Sequence, residues 1–349
     1  MNGALWGVNA LCAGGLEKMI AVAVSRICGL PDVLAGSLDG CASLELKGAA
    51  NSTEASAALL ERALNAEHEL TSITFADAPL GDEGASRLAA LLPGRGGTLR
   101  TLRLDRCGVG AAGAADLGAA VGAGTPPLRS LSLSGNALGA AGAASLAAAL
   151  RGNATASLAH LQLSASGLGA AGAAALAAGV AGSASLAKLT LDGNDVGDDG
   201  AKALAAALRD GGGRALATLD LGYNHLTADG AAALADALAA DGGAPALHTL
   251  WLGSNGVADD GARALARMLR TNTRLRALGL WNNGVGCDGG DALERALRVN
   301  RALTQLFLAH NAADDSEELR GKIGAALERN AKAARLTGEE LGSLERDEL

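Results

Sequence analysis

One leucine recurs along most of this 349-residue chain at almost constant intervals: Leu70, Leu99, Leu128, Leu158, Leu186, Leu216, Leu247, Leu275 and Leu303. Neighbouring members are 28 to 31 residues apart, and a weaker unit begins at Cys41. A fixed period of this length constrains folding more than any other feature. Each unit must be one supersecondary element that buries its apolar face on the next, so the chain stacks rather than collapsing around one centre.

Inside each unit the same offsets are apolar. Leu102, Leu131, Leu161, Leu189, Leu219, Leu250, Leu278 and Leu306 are each followed two residues later by another leucine, from Leu104 to Leu308. Alternation at period two is a short strand with one buried side. A turn position then holds Asn136, Asn194, Asn224, Asn255, Asn283 and Asn311, with Cys107 and Ser166 as substitutes. Next comes a helical pattern. Gly84, Gly113, Gly142, Gly172, Gly200, Gly230, Gly261 and Gly289 share a register, with Leu or Val four and eight residues later. Spacings of four mark one helical face. Glycine costs a helix about 0.5–1 kcal/mol relative to alanine, so its recurrence predicts close backbone approach to the adjoining layer. Composition agrees, with Gly at 50 residues and aromatics at 2%. Small residues must pack against leucine, layer by layer.

The string LRSLSLSGNALGAAGAASLAAALRGN, which opens at Leu128, resembles a leucine-rich repeat of the long, ribonuclease-inhibitor-like class. The resemblance runs roughly from Cys41 to Asn311. It implies an α/β solenoid of about nine to ten repeats, a horseshoe with a parallel sheet on the concave side and helices outside. Residues 1–40, with an amphipathic stretch from Leu16 to Leu30 and a break at Pro31, are expected to form an N-terminal helical cap. Residues 312–349 are expected to form a C-terminal cap helix, over 316–335, and a charged tail.

Charge argues against a nucleic-acid surface, because Lys and Arg number 29 against 37 Asp and Glu, for a net charge of −8. The five cysteines (Cys12, Cys28, Cys41, Cys107, Cys287) are odd in number, widely spaced and without a CxxC pair. That pattern predicts no disulfide framework and favours a reducing, cytoplasmic compartment. The uncharged stretches Ser130–Leu150 and Gln162–Ala187 read as repeat units rather than membrane spans, because their leucines keep the repeat spacing among Ala, Gly and Ser. The first 40 residues lack the basic start and clean apolar run of a secretory signal. The final Arg346-Asp347-Glu348-Leu349 is similar to a luminal retention signal, but reads as a solvated charged tail.

No P-loop, GxSxG or HExxH is present, and the five histidines fall in different units. Asp195, Asp198 and Asp199, and again Asp259 and Asp260, precede helices. These acids fit helix capping better than a calcium loop. The expectation is a non-enzyme with no cofactor and no metal.

The informative surface is the outward row of the strands: Thr74, Arg103, Ser132, Gln162, Thr190, Asp220, Trp251, Gly279, Phe307, and the next row from Ala76 to Ala309. Of six aromatic residues, Phe75 occupies a buried leucine position and Trp6 lies in the cap. The other four, Tyr223, Trp251, Trp281 and Phe307, fall on or beside one face of four successive units, with Gly222, Gly253 and Gly279 between them. Exposed Trp and Tyr dominate binding hot spots. These four are the expected partner-binding residues, with Asp192, Asp220, His225 and His310 as a polar rim. Packing of the rings on one another or under the C-terminal segment is the competing reading. The early units present Glu45, Lys47, Arg103, Asp105 and Arg106. The function expected is a protein-interaction module: scaffold, inhibitor or subunit of a larger assembly. The alternative, drawn from similarity to the Ran GTPase-activating protein, is a regulator of a small GTPase.

Overall fold

The computed structural model describes residues 26–35, 41–48, 52–65, 70–95, 97–124, 127–151, 157–209, 211–239 and 244–337. Strands and helices alternate throughout. The strands are β1 (Arg26–Cys28), β2 (Cys41–Lys47), β3 (Ser72–Ala76), β4 (Thr101–Asp105), β5 (Ser130–Ser132), β6 (His160–Gln162), β7 (Lys188–Thr190), β8 (Thr218–Asp220), β9 (Thr249–Trp251), β10 (Ala277–Gly279) and β11 (Gln305–Phe307). The helices are α1 (Leu30–Ala35), α2 (Thr53–Asn65), α3 (Gly81–Arg95), α4 (Ala111–Gly122), α5 (Gly139–Arg151), α6 (Gly169–Gly182), α7 (Gly197–Arg209), α8 (Ala228–Ala239), α9 (Ala258–Leu269), α10 (Cys287–Leu297) and α11 (Glu317–Thr337). The strands form one parallel sheet in chain order, and from β3 onward the repeat leucines are in register. Strands stack about 4.8 Å apart whereas helices pack about 8–10 Å apart, so each unit is a wedge and the sheet takes the inner, concave side. The chain is thus an α/β repeat solenoid of about ten units. No helix among the described residues is long and apolar enough to cross a membrane.

Each layer is filled by its leucines, which are buried from Leu44 to Leu303, with Phe75 in a leucine position. The turn asparagines tie layers together. Asn194 is fully buried; its Nδ2 donates to Leu163 O (2.7 Å) and Leu191 O (2.9 Å), and its Oδ1 accepts from the N–H groups of Ser166 (2.8 Å) and Leu168 (3.3 Å). Asn136, Asn224, Asn255, Asn283 and Asn311 also lace backbone between adjoining units. Cys107 substitutes through its thiol, near Phe75 O and Asp105 O, and burial pushes that thiol's pKa up to about 12.

The register glycines sit where helices touch. A methyl group at Gly200 would lie 2.6 Å from Val196 Cγ1 and 2.9 Å from Ala173 Cβ in the preceding helix. The helix-start acids do cap, but across units. Asp82 Oδ1 accepts from Gly110 N (2.6 Å) and Gly113 N (2.9 Å), Asp198 Oδ1 from Thr227 N (2.8 Å) and Gly230 N (3.0 Å), and Asp259 Oδ1 from Gly286 N (2.7 Å) and Gly289 N (2.9 Å). Each closes the N-terminus of the following helix.

The N-terminal end corrects three expectations. Residues 26–28, assigned to a helical cap from the sequence, form a strand that extends the sheet beside β2. Pro31 does not break a helix; it lies in the first turn of α1, where its fixed φ and missing N–H are tolerated. Pairing β1 with β2 brings the Cα atoms of Cys28 and Cys41 to 5.9 Å, and the two form a disulfide. The expectation of no disulfide therefore fails, and with it the argument from cysteine spacing for a reducing compartment. The remainder of the N-terminal cap, including Cys12, and the charged tail lie outside the described residues. At the other end, α11 packs on α10 and on a 3-10 turn over Ala312–Asp315. Leu319 and Ile323 enter the core, and Asn330 Nδ2 donates to Leu303 O at 2.7 Å.

Candidate functional site

The concave face is built from three outward rows. The middle row, in register from Thr74 through Arg103, Ser132, Gln162, Thr190, Asp220, Trp251 and Gly279 to Phe307, is the one read from the sequence. On β9 to β11 it becomes aromatic. Trp251 and Phe307 flank Gly279, and two strand steps would hold them about 10 Å apart. Their ring centroids instead lie 5.3 Å apart at an interplanar angle of 58°. The rings lean over Gly279, where a methyl group would overlap both Trp251 Cε3 and Trp281 Cζ3. Trp281 lies across Gly253, whose added methyl would overlap its Cε2, and its ring centroid is 5.8 Å from that of Trp251. The two glycines are the sockets of the rings. The three rings form one tilted cluster, and each remains half-buried. The C-terminal helix, as far as Thr337, docks on α10 and the 3-10 turn.

Tyr223 is 60% exposed and occupies a left-handed backbone position, with φ of 53°. That conformation is imposed by the repeat. Asp77, Arg106, Gly135, Ala165, Gly193, Ser254, Asn282 and His310 share it, one per unit. It lets the residue's N–H reach the next rung, as in Tyr223 N to Gly253 O (2.9 Å) and Asn282 N to Ala309 O (2.9 Å). Tyr223 and His310 therefore stand on one ridge, three units apart, with Ser254 and Asn282 between them.

The rim residues divide. Asp192 Oδ1 accepts from Ser164 Oγ at 2.5 Å, and Asp220 Oδ1 accepts from Gly222 N at 2.9 Å. Both carboxylates are half-buried beside Gly222, next to the rings. His225 is elsewhere: its Nε2 lies 3.1 Å from Asp195 Oδ1 in an exposed turn pair. Structure thus gathers Trp251, Trp281 and Phe307 into one cluster, sets Asp192 and Asp220 at its flank and Tyr223 and His310 on its ridge, and places His225 in a separate contact with Asp195.

The sequence reading passed over the third outward row, from Ser72 to Gln305. It contains His160, Lys188, Thr249 and Gln305 and was legible by the same alternation. Thr249 and Ala277 in this row are fully buried, so the face over β9 and β10 is not bare sheet. Gln305 Oε1 and Thr190 Oγ1 are buried on this face and accept or donate no hydrogen bond among the described residues. Burial, with Lys188 and Arg276 respectively adding to it, lowers the pKa of His160 and His248, which keeps both neutral at pH 7.

At the early end, both Nε and Nη2 of Arg103 reach Asp105 Oδ2 (3.2 and 3.1 Å), and Arg106 makes a two-pronged pair with Asp77 (2.5 and 2.9 Å). Each guanidinium is already engaged with a carboxylate of its own chain. Among the described residues, no group of three or more His, Cys, Asp or Glu is placed to hold a metal ion.

Four segments, residues 126–147, 182–205, 214–235 and 245–266, match the family profile described as "Leucine Rich repeat". The chain has no match among curated protein sequences. Among solved structures it is similar to a chain of the yeast Rad7 and Elc1 complex, with TM-score 0.51 and 18% identity over 78% of this chain and 63% of that one. It is also similar to an internalin (inlF) from Listeria monocytogenes, with TM-score 0.44 and 18% identity over 84% of this chain and 80% of that one. A third similarity is to leiomodin-1 actin-binding site 2, with TM-score 0.38 and 18% identity over 43% of this chain and 83% of that one. At these identities the likeness concerns the fold alone.

Proposed function

We propose that this leucine-rich-repeat protein is a non-enzymatic interaction module that holds a protein partner on the concave face of its late units, from β8 to β11. The observation that carries the reading is the aromatic cluster. In a chain with six aromatic residues, three stack on adjoining strands over glycine sockets, and a fourth projects beside them at a left-handed turn. None is required by the repeat, because the same rows are filled elsewhere by Thr, Ser, Gln and Gly. Half-buried tilted rings keep apolar area open to a ligand while losing little side-chain freedom on binding. Such anchors contribute about 2 kcal/mol or more each at interfaces. Asp192, Asp220 and His310 supply polar contacts at the rim, and the mixed charges around Arg103 and Asp105 orient the partner at the other end. An open curved sheet suits a macromolecule better than a metabolite.

The test is affinity capture with the wild-type protein and with the Trp251→Ala/Trp281→Ala variant. Proteins recovered by the first and lost from the second are purified and titrated against both. A partner whose affinity is unaffected by the double substitution removes this site from the interaction.

A further inference from the structure

Among the described residues β11 is the last strand of the sheet, with a hydrogen-bonded neighbour on one side only. Gln305, Phe307 and Ala309 spend their backbone groups on β10: Gln305 N donates to Arg276 O (2.9 Å), while Phe307 O and Ala309 O accept from Leu280 N (2.8 Å) and Asn282 N (2.9 Å). By strand alternation, the N–H groups of Leu306 and Leu308 point away from β10. One unit earlier the equivalent N–H, on Leu280, donates to the next strand. Side-chain burial reports the same edge. Leu250 and Leu278 are fully buried, whereas Leu306, in the same register, is half-exposed. The cap closes the helix side of this layer, since α11 seats Leu319 and Ile323 in the core and bonds through Asn330 to the loop ahead of β11.

Exposed strand edges are normally blunted by a charge, a proline or a bulge. The segment Gln305–Ala309, QLFLA, carries neither charge nor proline, and it pairs with β10 in unbroken register. Charges of opposite sign stand on either side of it along the chain. Arg301 is exposed ahead of the strand; Asp314 and Asp315 follow it, the first half-exposed and the second exposed. A parallel neighbour of the same sequence would set like charges together. An antiparallel one would set Arg301 of each copy toward Asp314 and Asp315 of the other.

We propose that β11 is the meeting edge of two copies of this chain, joined antiparallel about a two-fold axis through Gln305–Ala309. The pairing satisfies the outward backbone groups of Leu306 and Leu308, sets Leu306 of each copy against Leu308 of the other, and continues one sheet into the other. It stands independently of the partner-binding reading of the rings.

Sedimentation velocity over a concentration series is the direct test. The wild type is expected to pass from monomer to dimer. Arg301→Glu and Asp315→Arg, each acting twice across the axis, are each expected to weaken the dimer about tenfold. The Arg301→Glu/Asp315→Arg double variant is expected to recover it, and Leu306→Lys to abolish it, with circular dichroism establishing that each is folded. A folded wild type that sediments as monomer throughout overturns the proposal. So does a dimer indifferent to the two charge reversals, or one that the double variant fails to restore.

Discussion

Truncating Asn194 to alanine removes one side chain and unbalances two layers. The amide is fully buried, and its Oδ1 is the acceptor for the N–H groups of Ser166 and Leu168. Leu191 O keeps a second donor, Asn224 Nδ2 at 2.9 Å, so the carbonyl side is partly protected. The two N–H groups have no such reserve and lie too deep for water. A buried donor left unsatisfied costs about 1–3 kcal/mol, which places Asn194→Ala at about 2–6 kcal/mol; the longer 3.3 Å bond from Leu168 argues for the lower half. Units of a solenoid are stable mainly through their interfaces, so the loss should also reduce cooperativity between the halves on either side of Asn194. Equilibrium urea unfolding followed by far-ultraviolet circular dichroism measures both effects. A loss below about 1 kcal/mol with an unchanged transition slope would refute the claim that the asparagine ladder, rather than leucine burial alone, couples the units.

Helix propensity alone favours alanine over glycine, but Gly200→Ala is expected to lower the midpoint, because the added methyl meets Val196 Cγ1 and Ala173 Cβ. Gly324→Ala in α11, where nothing lies within 4 Å, should raise it by about 0.5–1 kcal/mol. Burial would raise the pKa of Asp198, but hydrogen bonds from Thr227 and Gly230 and the charge of Lys202 together hold it below 3.8. Its capping contribution is therefore present above the ordinary aspartate range and is lost as pH falls through the lower folded value. Asp198→Ala should cost about 1 kcal/mol at pH 7, with the difference from wild type shrinking below about pH 4 in parallel urea titrations. Tyr223→Gly should leave stability unchanged or raise it by about 1 kcal/mol, because glycine takes the left-handed turn without strain, while weakening partner binding. A fall in melting temperature would show that the ring serves the fold instead.

Most of the fold was legible because one period carries it. Leu102 through Leu306 fix the strand register and the turn asparagines mark each strand's end, so rows such as Thr190, Asp220, Trp251 follow from the sequence alone. Features that depend on two units at once were harder to read. Asp198 and Asp259 read as caps of their own helices, yet each serves the next helix, as Asp82 also does, because neighbouring helix starts lie side by side. Cys41 opens the weakest unit and Cys28 lies outside the repeat; their meeting depends on β1, which belongs to no full unit. The aromatic residues could be assigned to a face, but the lean of Trp251 and Phe307 across Gly279 is a matter of rotamers, which strand spacing does not specify. His225 was misplaced for a similar reason: two residues beyond Tyr223, the chain has left the strand and the side chain finds Asp195.

The central claim is that binding energy resides in the late concave face. Isothermal titration of a purified partner against the wild type, Trp251→Ala/Trp281→Ala and Arg103→Ala tests it most directly. The account predicts a loss of about a hundredfold or more for the double tryptophan variant, from roughly 2 kcal/mol or more at each ring partly offset by their mutual packing, and a much smaller effect for Arg103→Ala. Equal affinity of the folded double variant and the wild type would contradict it.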